Sequence, residues 1–209
     1  MKERFPKWWI WYFAARRLYF IAGIPLALFY SLIGFCFLDD RTIEVYIYAY
    51  GGLAAAILPI LWRRHAAKKR QVTLQSVVNA VKASGYFNPA EGYEAGSFWQ
   101  SMYFGIDTRK GTMLYVRIYP GGVMDVIGFD IHNFTRTVVD ANKLTVYSKY
   151  VTLPCIVMEF FKGSASSIAN CMHAMAEKGF NYDVNFPALI QNKRQEWENI
   201  SKLPVPKIH

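Results

Sequence analysis

The sequence lacks the residue clusters on which most catalytic and metal sites depend. It holds only three cysteines and four histidines in 209 residues. Cys36, Cys155 and Cys171 form no CxxC pair and no Cys/His cluster with zinc-site spacing. The Walker, GxGxxG, HExxH and GxSxG motifs are also absent. These absences argue against a zinc site, a nucleotide-binding fold and the common hydrolase families. We therefore assign no cofactor and no metal.

Two residue groups come closest to chemistry. Asp130 and His132 lie two apart on a presumed strand and would share a face, as an acid and a base must. A solvated strand face explains this pair equally well, because no nucleophile or second base can be placed beside it. On a helical wheel His173 points away from the sulfur of Cys171, so soft-metal ligation is disfavoured. We predict that the chain is not an enzyme.

Positive charge is concentrated in two short segments. The formal net charge is +9, and residues 1–17 hold five Lys/Arg against one acid. Residues 63–70 hold five more and no acid, whereas residues 71–209 hold 13 basic and 11 acidic side chains, a net of +2. Nucleic-acid recognition needs a concentrated basic face on the folded domain itself. The charge distribution therefore predicts no nucleic-acid partner.

Two uncharged runs predict a transmembrane hairpin in the lipid bilayer. Residues 18–38 and 45–62 are uncharged over 21 and 18 positions, close to the roughly 20 residues that cross a hydrocarbon core. The linker at 39–44 holds one basic residue, and the basic outer flanks predict that both termini are cytoplasmic. The basic residues expected to set this topology are Arg16, Arg17, Arg63, Arg64, Lys68, Lys69 and Arg70.

Aromatic residues precede the first run, and small residues are spaced regularly within both runs. Residues 1–17 are rich in Trp, Tyr and Phe and predict an interfacial segment before the first span. Small residues follow Gly23, Gly51 and Gly52 at a spacing of four, which allows close helix packing. Closure of the hairpin is the favoured explanation, and a homo-oligomer formed through these small residues is the alternative.

After the second run, the pattern predicts a helix and then an irregular connection. We expect residues 63–100 to form this juxtamembrane region, with Thr73 as the N-cap of a short helix and Gly85 as its stop. The helix should present an apolar face made of Leu74, Val77, Val78 and Val81. Residues 86–100 are rich in Gly, Pro and aromatic side chains and predict a loop.

From residue 101 the apolar period changes to two, which indicates strands. The predicted strands are 102–107, 112–119, 123–129, 131–140, 144–153 and 155–161, followed by an amphipathic helix from Ser164 or Ser166 to Gly179. This β domain with its helix covers residues 101–180, and residues 181–209 add a last helix at about 186–200 and a tail. The predicted core is Tyr103, Leu114, Val116, Ile118, Ile127, Val146, Ile156, Val157, Met158 and Phe160.

The predicted fold class is therefore α+β, an N-terminal two-helix transmembrane hairpin followed by a mainly antiparallel β domain with flanking helices. The segments YFGIDTRKG and VIGFDIHNF, with the final hairpin and helix, resemble small bacterial pleckstrin-homology-like domains over about residues 100–180. That resemblance implies a barrel or sandwich and does not imply phosphoinositide binding.

The whole chain carries a second resemblance. Its N-terminus MKERFPKWWIWYFAARR, the hairpin and the tail of about 140 residues resemble the entry-exclusion proteins of I-type conjugative plasmids, the ExcA family. This implies a bacterial inner-membrane protein that blocks redundant plasmid transfer by recognising a TraY-type membrane protein of the donor's transfer apparatus. The alternative is a membrane-anchored adaptor, a lipid- or protein-binding module of the pleckstrin-homology-like type.

A recognition protein needs a surface for its partner, and exposed aromatic side chains are the best candidates. We predict that Tyr93, Phe98, Trp99 and Tyr103, in and beside the irregular connection, contribute to this surface. Core packing is the alternative for each of them.

Overall fold

The computed structural model describes residues 4–37, 39, 42–160 and 164–208. The chain divides into two compact units. The helical unit is Pro6–Lys68, and the sheet unit comprises Met1–Phe5 and Lys69–His209. The predicted α+β class is confirmed, because long N-terminal helices precede two antiparallel sheets.

The first long helix of the helical unit runs over Trp9–Cys36. It consists of α1 (Trp9–Leu18), a π-helical turn (Tyr19–Gly23) and α2 (Ile24–Cys36). Pro25 lies in the first turn of α2. Because proline has no N–H for the carbonyl four residues earlier, it favours a widened turn just before it.

The second long helix runs over Ile43–Ala83. Its residues up to Lys68 belong to the helical unit, and those from Lys69 belong to the sheet unit. It consists of α3 (Ile43–Tyr46), a π-helical turn (Ile47–Gly51) and α4 (Gly52–Ala83). Both long helices have the length and apolar character to cross a membrane. The predicted run 45–62 lies inside the second helix, whereas residue 38 and part of the linker lie outside the described residues.

Small residues bring the two long helices together. A Cβ atom added at Gly34 would lie 2.3 Å from the backbone nitrogen of Ala49, and one at Gly52 would lie 2.5 Å from a backbone oxygen of α2. Ser31 also donates a hydrogen bond from Oγ to the Ala49 carbonyl at 2.6 Å. A Cβ at Gly51 would meet only a side-chain atom at 3.9 Å. The favoured explanation of small residues, closure of the hairpin, is confirmed at Gly52.

The N-cap predicted at Thr73 is wrong. Helix α4 continues through this position, and the Thr73 hydroxyl donates back to the Lys69 carbonyl at 3.2 Å. Residues 60–84 contain neither Gly nor Pro, so nothing interrupts the helix. The predicted stop is confirmed, since Gly85 has φ +77° and follows the last helical residue closely. The predicted apolar face is fully buried at Leu74, Val77, Val78 and Val81.

The first sheet has the order β1-β2-β3-β4, with every neighbouring pair antiparallel. Its strands are β1 (Glu94–Ser97), β2 (Met102–Asp107), β3 (Thr112–Ile118) and β4 (Met124–Phe129). The prediction that residues 86–100 form a loop is wrong at Glu94–Ser97, which form strand β1. Its sequence EAGS has no β-branched or aromatic residue, so propensity could not reveal a strand that forms by pairing with β2.

The second sheet has the order β5-β6-β7 and is also antiparallel. Its strands are β5 (Phe134–Asp140), β6 (Lys143–Ser148) and β7 (Cys155–Glu159). Within the described residues no strand of one sheet pairs with a strand of the other. The structure therefore shows two open sheets and not the closed barrel of the pleckstrin-homology-like type.

Two hydrophobic cores use opposite faces of the first sheet, as the two-residue period of strands requires. One core lies between the two sheets and α5 (Ser164–Lys178). The other joins the opposite face of the first sheet to α4, α6 (Phe186–Asn192) and α7 (Arg194–Ser201). Nine of the ten predicted core residues are buried, and Val157 is half-buried.

The single last helix predicted at about 186–200 is wrong, because the chain forms α6 and α7 with a break at Lys193. The Asn185 side chain caps α6 by accepting the Ala188 N–H at 2.9 Å. Trp197 of α7 is fully buried and donates from Nε1 to the Ile190 carbonyl at 2.9 Å. This bond satisfies the indole N–H inside the second core.

Candidate functional site

The connection between β1 and β2 is a tight turn with a fixed base. The Ser101 N–H donates to the Phe98 carbonyl at 3.3 Å, and Ser101 adopts φ +49°. Gln100 donates from Nε2 to Glu159 of β7 at 2.6 Å. Arg70 of α4 donates from Nε to the Ser101 hydroxyl at 3.2 Å. The turn is therefore tied to both the second sheet and the long helix.

Two predicted aromatic residues project from this turn. Phe98 and Trp99 are 40% and 49% exposed. Their ring centroids lie 5.3 Å apart, and the ring planes meet edge-to-face at 82°. We name these two side chains the aromatic tip. Large aromatic side chains held on an ordered backbone lose little entropy on binding, which suits a protein interface.

The other two predicted aromatic residues lie elsewhere. Tyr93 is 38% exposed but precedes β1, so about five residues of extended chain, roughly 17 Å, separate it from Phe98. Tyr103 is only 6% exposed and packs in the second core. The expectation that Tyr103 is exposed is thus wrong, and burial raises the pKa of its hydroxyl, with Glu94 adding to the shift. The structure brings together only Phe98 and Trp99.

The predicted basic flank divides between the two units. Arg16, Arg17 and Arg63 line one cleft of the helical unit. Arg64, Lys68 and Lys69 are exposed on α4. Arg70 is half-buried in the sheet unit, where its bond to Ser101 gives it a structural role besides any effect on topology.

A buried ion pair was missed by the sequence analysis. The Arg4 Nε lies 2.7 Å from each carboxylate oxygen of Asp125, and Asp125 is fully buried. The adjacent Phe5 ring packs edge-on against Tyr119, with ring centroids 5.2 Å apart. We name Arg4 and Phe5 the N-terminal anchor. The available signal was the position of Asp125 within the apolar strand VMDVIGF, where a buried acid needs a cation.

The electrostatics of this pair are dominated by burial. Burial raises the pKa of the Asp125 carboxyl, and the hydrogen bond and charge of Arg4 act in the opposite direction. Arg117 adds a further lowering influence from the neighbouring strand, where it is the register partner of Asp125. Arg4 is therefore the main group that stabilises the ionised carboxylate.

The two groups closest to chemistry have ordinary structural roles. Asp130 and His132 lie in the turn between β4 and β5, so the expectation that they share a strand face is wrong. The Asp130 carboxylate accepts the backbone N–H of His132 at 2.9 Å. His173 lies on the exposed side of α5, with Nε2 2.7 Å from the Thr137 hydroxyl. Over the described ranges, no group of His, Cys, Asp and Glu could hold a metal ion.

Comparison with known protein families gives a match. The family described as exclusion-determining protein matches residues 5–197. The chain belongs to the exclusion-determining protein family. This family match includes the two long helices, both sheets, the aromatic tip and Phe5 of the N-terminal anchor. No curated protein matches the chain, and no solved structure matches it.

Membership in the exclusion-determining family associates the chain with entry exclusion in conjugation, and the family is not a known enzyme class. The aromatic tip lies within the matched residues and is exposed.

Proposed function

We propose that this protein is an inner-membrane entry-exclusion protein that blocks redundant conjugative transfer into a plasmid-bearing recipient. The observation that carries the proposal is the family match over residues 5–197. The resemblance of the N-terminus and hairpin to I-type proteins supports the finer assignment to the ExcA branch. Exclusion on this account is a recognition event and needs no catalytic residue.

The proposed partner is a membrane protein of the donor's transfer apparatus, of the TraY type that the resemblance implies. We assign its contact to the aromatic tip, where Phe98 and Trp99 expose large apolar surfaces on a turn fixed by Gln100 and Ser101. Protein interfaces are enriched in such residues, and a few of them supply most of the binding energy. Tyr93 is a separate and more distant candidate.

The proposed topology has two membrane crossings and both termini in the cytoplasm. The basic flanks support this orientation. The ion pair of Arg4 with Asp125 supports the number of crossings independently. Because Arg4 precedes the first long helix and Asp125 follows the second, the pair can form only if both lie on the same side, as an even number of crossings provides.

This orientation has a consequence for the mechanism. A cytoplasmic aromatic tip can meet a donor protein only if part of that protein enters the recipient's envelope and reaches the inner face of the membrane. Recognition would then occur after the two cells have made contact and would stop a later step of transfer.

The direct test expresses this chain alone in a recipient and counts the transconjugants formed with a donor of the cognate plasmid. We expect fewer transconjugants than in a recipient with the empty vector, and no reduction with a donor of an unrelated plasmid. Membrane fractionation shows that the protein is present. Undiminished cognate transfer with the protein in the membrane would refute exclusion and leave the anchored adaptor.

A further inference from the structure

Three arginines of the helical unit converge on one cleft of about 340 Å³. Arg16 and Arg17 come from α1, and Arg63 comes from α4. Phe20 and Ile21, which are 41% and 75% exposed, complete the lining, which contains no acidic residue. The cleft therefore combines three positive charges with an accessible apolar wall.

The order of these residues along the helices matches the layers of a bilayer. Arg16 and Arg17 directly precede the uncharged run 18–38, and Arg63 directly follows the run 45–62. All three guanidinium groups would thus lie at the headgroup level of the same leaflet in the proposed hairpin. At 1.5 Å per residue, Phe20 lies roughly 6 Å deeper than Arg16, at the start of the acyl chains.

Two of the three arginine side chains also contact an aromatic ring. The guanidinium carbons of Arg16 and Arg17 lie 5.1 and 4.8 Å from the ring centroid of Phe13, one turn earlier on the same helix. Such cation–π contacts limit the freedom of both side chains. A guanidinium group binds two phosphate oxygens at once, so clustered arginines suit phosphate better than a dispersed positive surface does.

We propose that this cleft is a binding site for an anionic glycerophospholipid of the surrounding membrane. Its phosphate contacts Arg16, Arg17 and Arg63, and an acyl chain lies along Phe20 and Ile21. Basic pockets between transmembrane helices are suited to anionic lipid headgroups. The inference rests on the proposed membrane hairpin, but it does not depend on exclusion or on the donor partner.

The test measures lipid binding to the full chain in detergent by native mass spectrometry. We expect phosphatidylglycerol to bind more tightly than zwitterionic phosphatidylcholine. The variant R16Q/R17Q/R63Q should lose about 100-fold in affinity for phosphatidylglycerol at low salt, because each basic side chain contributes roughly fivefold. The control R64Q/K68Q/K69Q removes the same charge from exposed positions outside the cleft and should bind almost as the wild type does.

Three results would overturn the proposal: equal binding of the two lipids, an equal loss in the control variant, or complete displacement of the lipid by inorganic phosphate. The second would show diffuse attraction, and the third a site for phosphate alone. If circular dichroism shows that the glutamine variant does not fold, R16K/R17K/R63K replaces it. This variant should also bind phosphatidylglycerol less tightly, because an ammonium group cannot bind two phosphate oxygens as a guanidinium group does. Unchanged binding of this variant would overturn the proposal. No donor cell is used, so a failure here leaves exclusion untouched.

Discussion

Replacement of Arg4 by methionine should destabilise the sheet unit strongly, although Arg4 precedes both long helices. The substitution keeps an unbranched side chain but removes the cation that contacts both oxygens of the buried Asp125 carboxylate at 2.7 Å. Removal of one partner from a buried ion pair costs about 3–5 kcal/mol. Because the N-terminal segment can detach and admit water, we expect about 3 kcal/mol.

Substitution of the other partner, Asp125→Asn, should lower the stability less than R4M does, by about 1 kcal/mol. The reason is that Arg4 can then turn into solvent, whereas the buried carboxylate left by R4M cannot. The double variant R4M/D125N should regain most of what R4M loses, which isolates the pair as the cause. For a unit of this size, 3 kcal/mol corresponds to about 10 °C in the unfolding midpoint. Thermal unfolding of the full chain in detergent, followed by tryptophan fluorescence, measures it.

The effect of R4M should depend on pH with a definite sign. Burial raises the pKa of Asp125, and the loss of Arg4 removes the main opposing influence. A carboxyl whose folded pKa exceeds its unfolded value binds its proton more tightly when folded, so stability rises as the pH falls from the folded towards the unfolded value. The R4M penalty should therefore be largest at neutral pH and shrink in acid. An unchanged midpoint, or a penalty independent of pH, would refute this reasoning.

Three further predictions concern other parts of the molecule. Gly34→Leu should destabilise the hairpin by about 3 kcal/mol and lower the amount of protein in the membrane. Gly51→Leu should be tolerated, because a Cβ there would make only an ordinary contact with a side chain at 3.9 Å. Quantitative immunoblotting of membranes compares the two variants, and equal levels would contradict this prediction. Trp197→Ala should cost about 3–5 kcal/mol by loss of core volume, measured by thermal unfolding, and a cost below about 1 kcal/mol would contradict the packing of α7. A periplasm-dependent reporter fused at His209 should be silent, and strong activity would reverse the proposed orientation.

Local patterns predicted those elements whose burial shows in their own sequence. Strands β2, β3 and β4 are buried on both faces, so each is a short, nearly continuous apolar run bounded by turn residues. Helix α5 is buried on one face, and its Ile168, Met172 and Met175 follow a helical period. Period alone does not say which strands join the same sheet, and the division into two open sheets was therefore not predicted.

The missed features depend on contacts between distant positions. Strand β1 has a sequence of low strand propensity and exists because β2 offers a pairing edge. The pair of Arg4 and Asp125 joins residues 121 positions apart, which no local pattern can connect. At the candidate site, composition alone identified the exposed Phe98 and Trp99 but did not distinguish them from the buried Tyr103.

The central proposal is that this member of the exclusion-determining family acts through recognition at the aromatic tip. The most direct measurement compares transfer frequency from a cognate donor into recipients that carry the wild type, the tip variant F98S/W99S, or the control V138S/V139S. Val138 and Val139 are 43% and 37% exposed on β5, so the control also removes exposed apolar surface from the sheet unit. At equal membrane levels, the wild type and the control should exclude, whereas the tip variant should restore transfer to the vector level. Full exclusion by the tip variant would contradict the account.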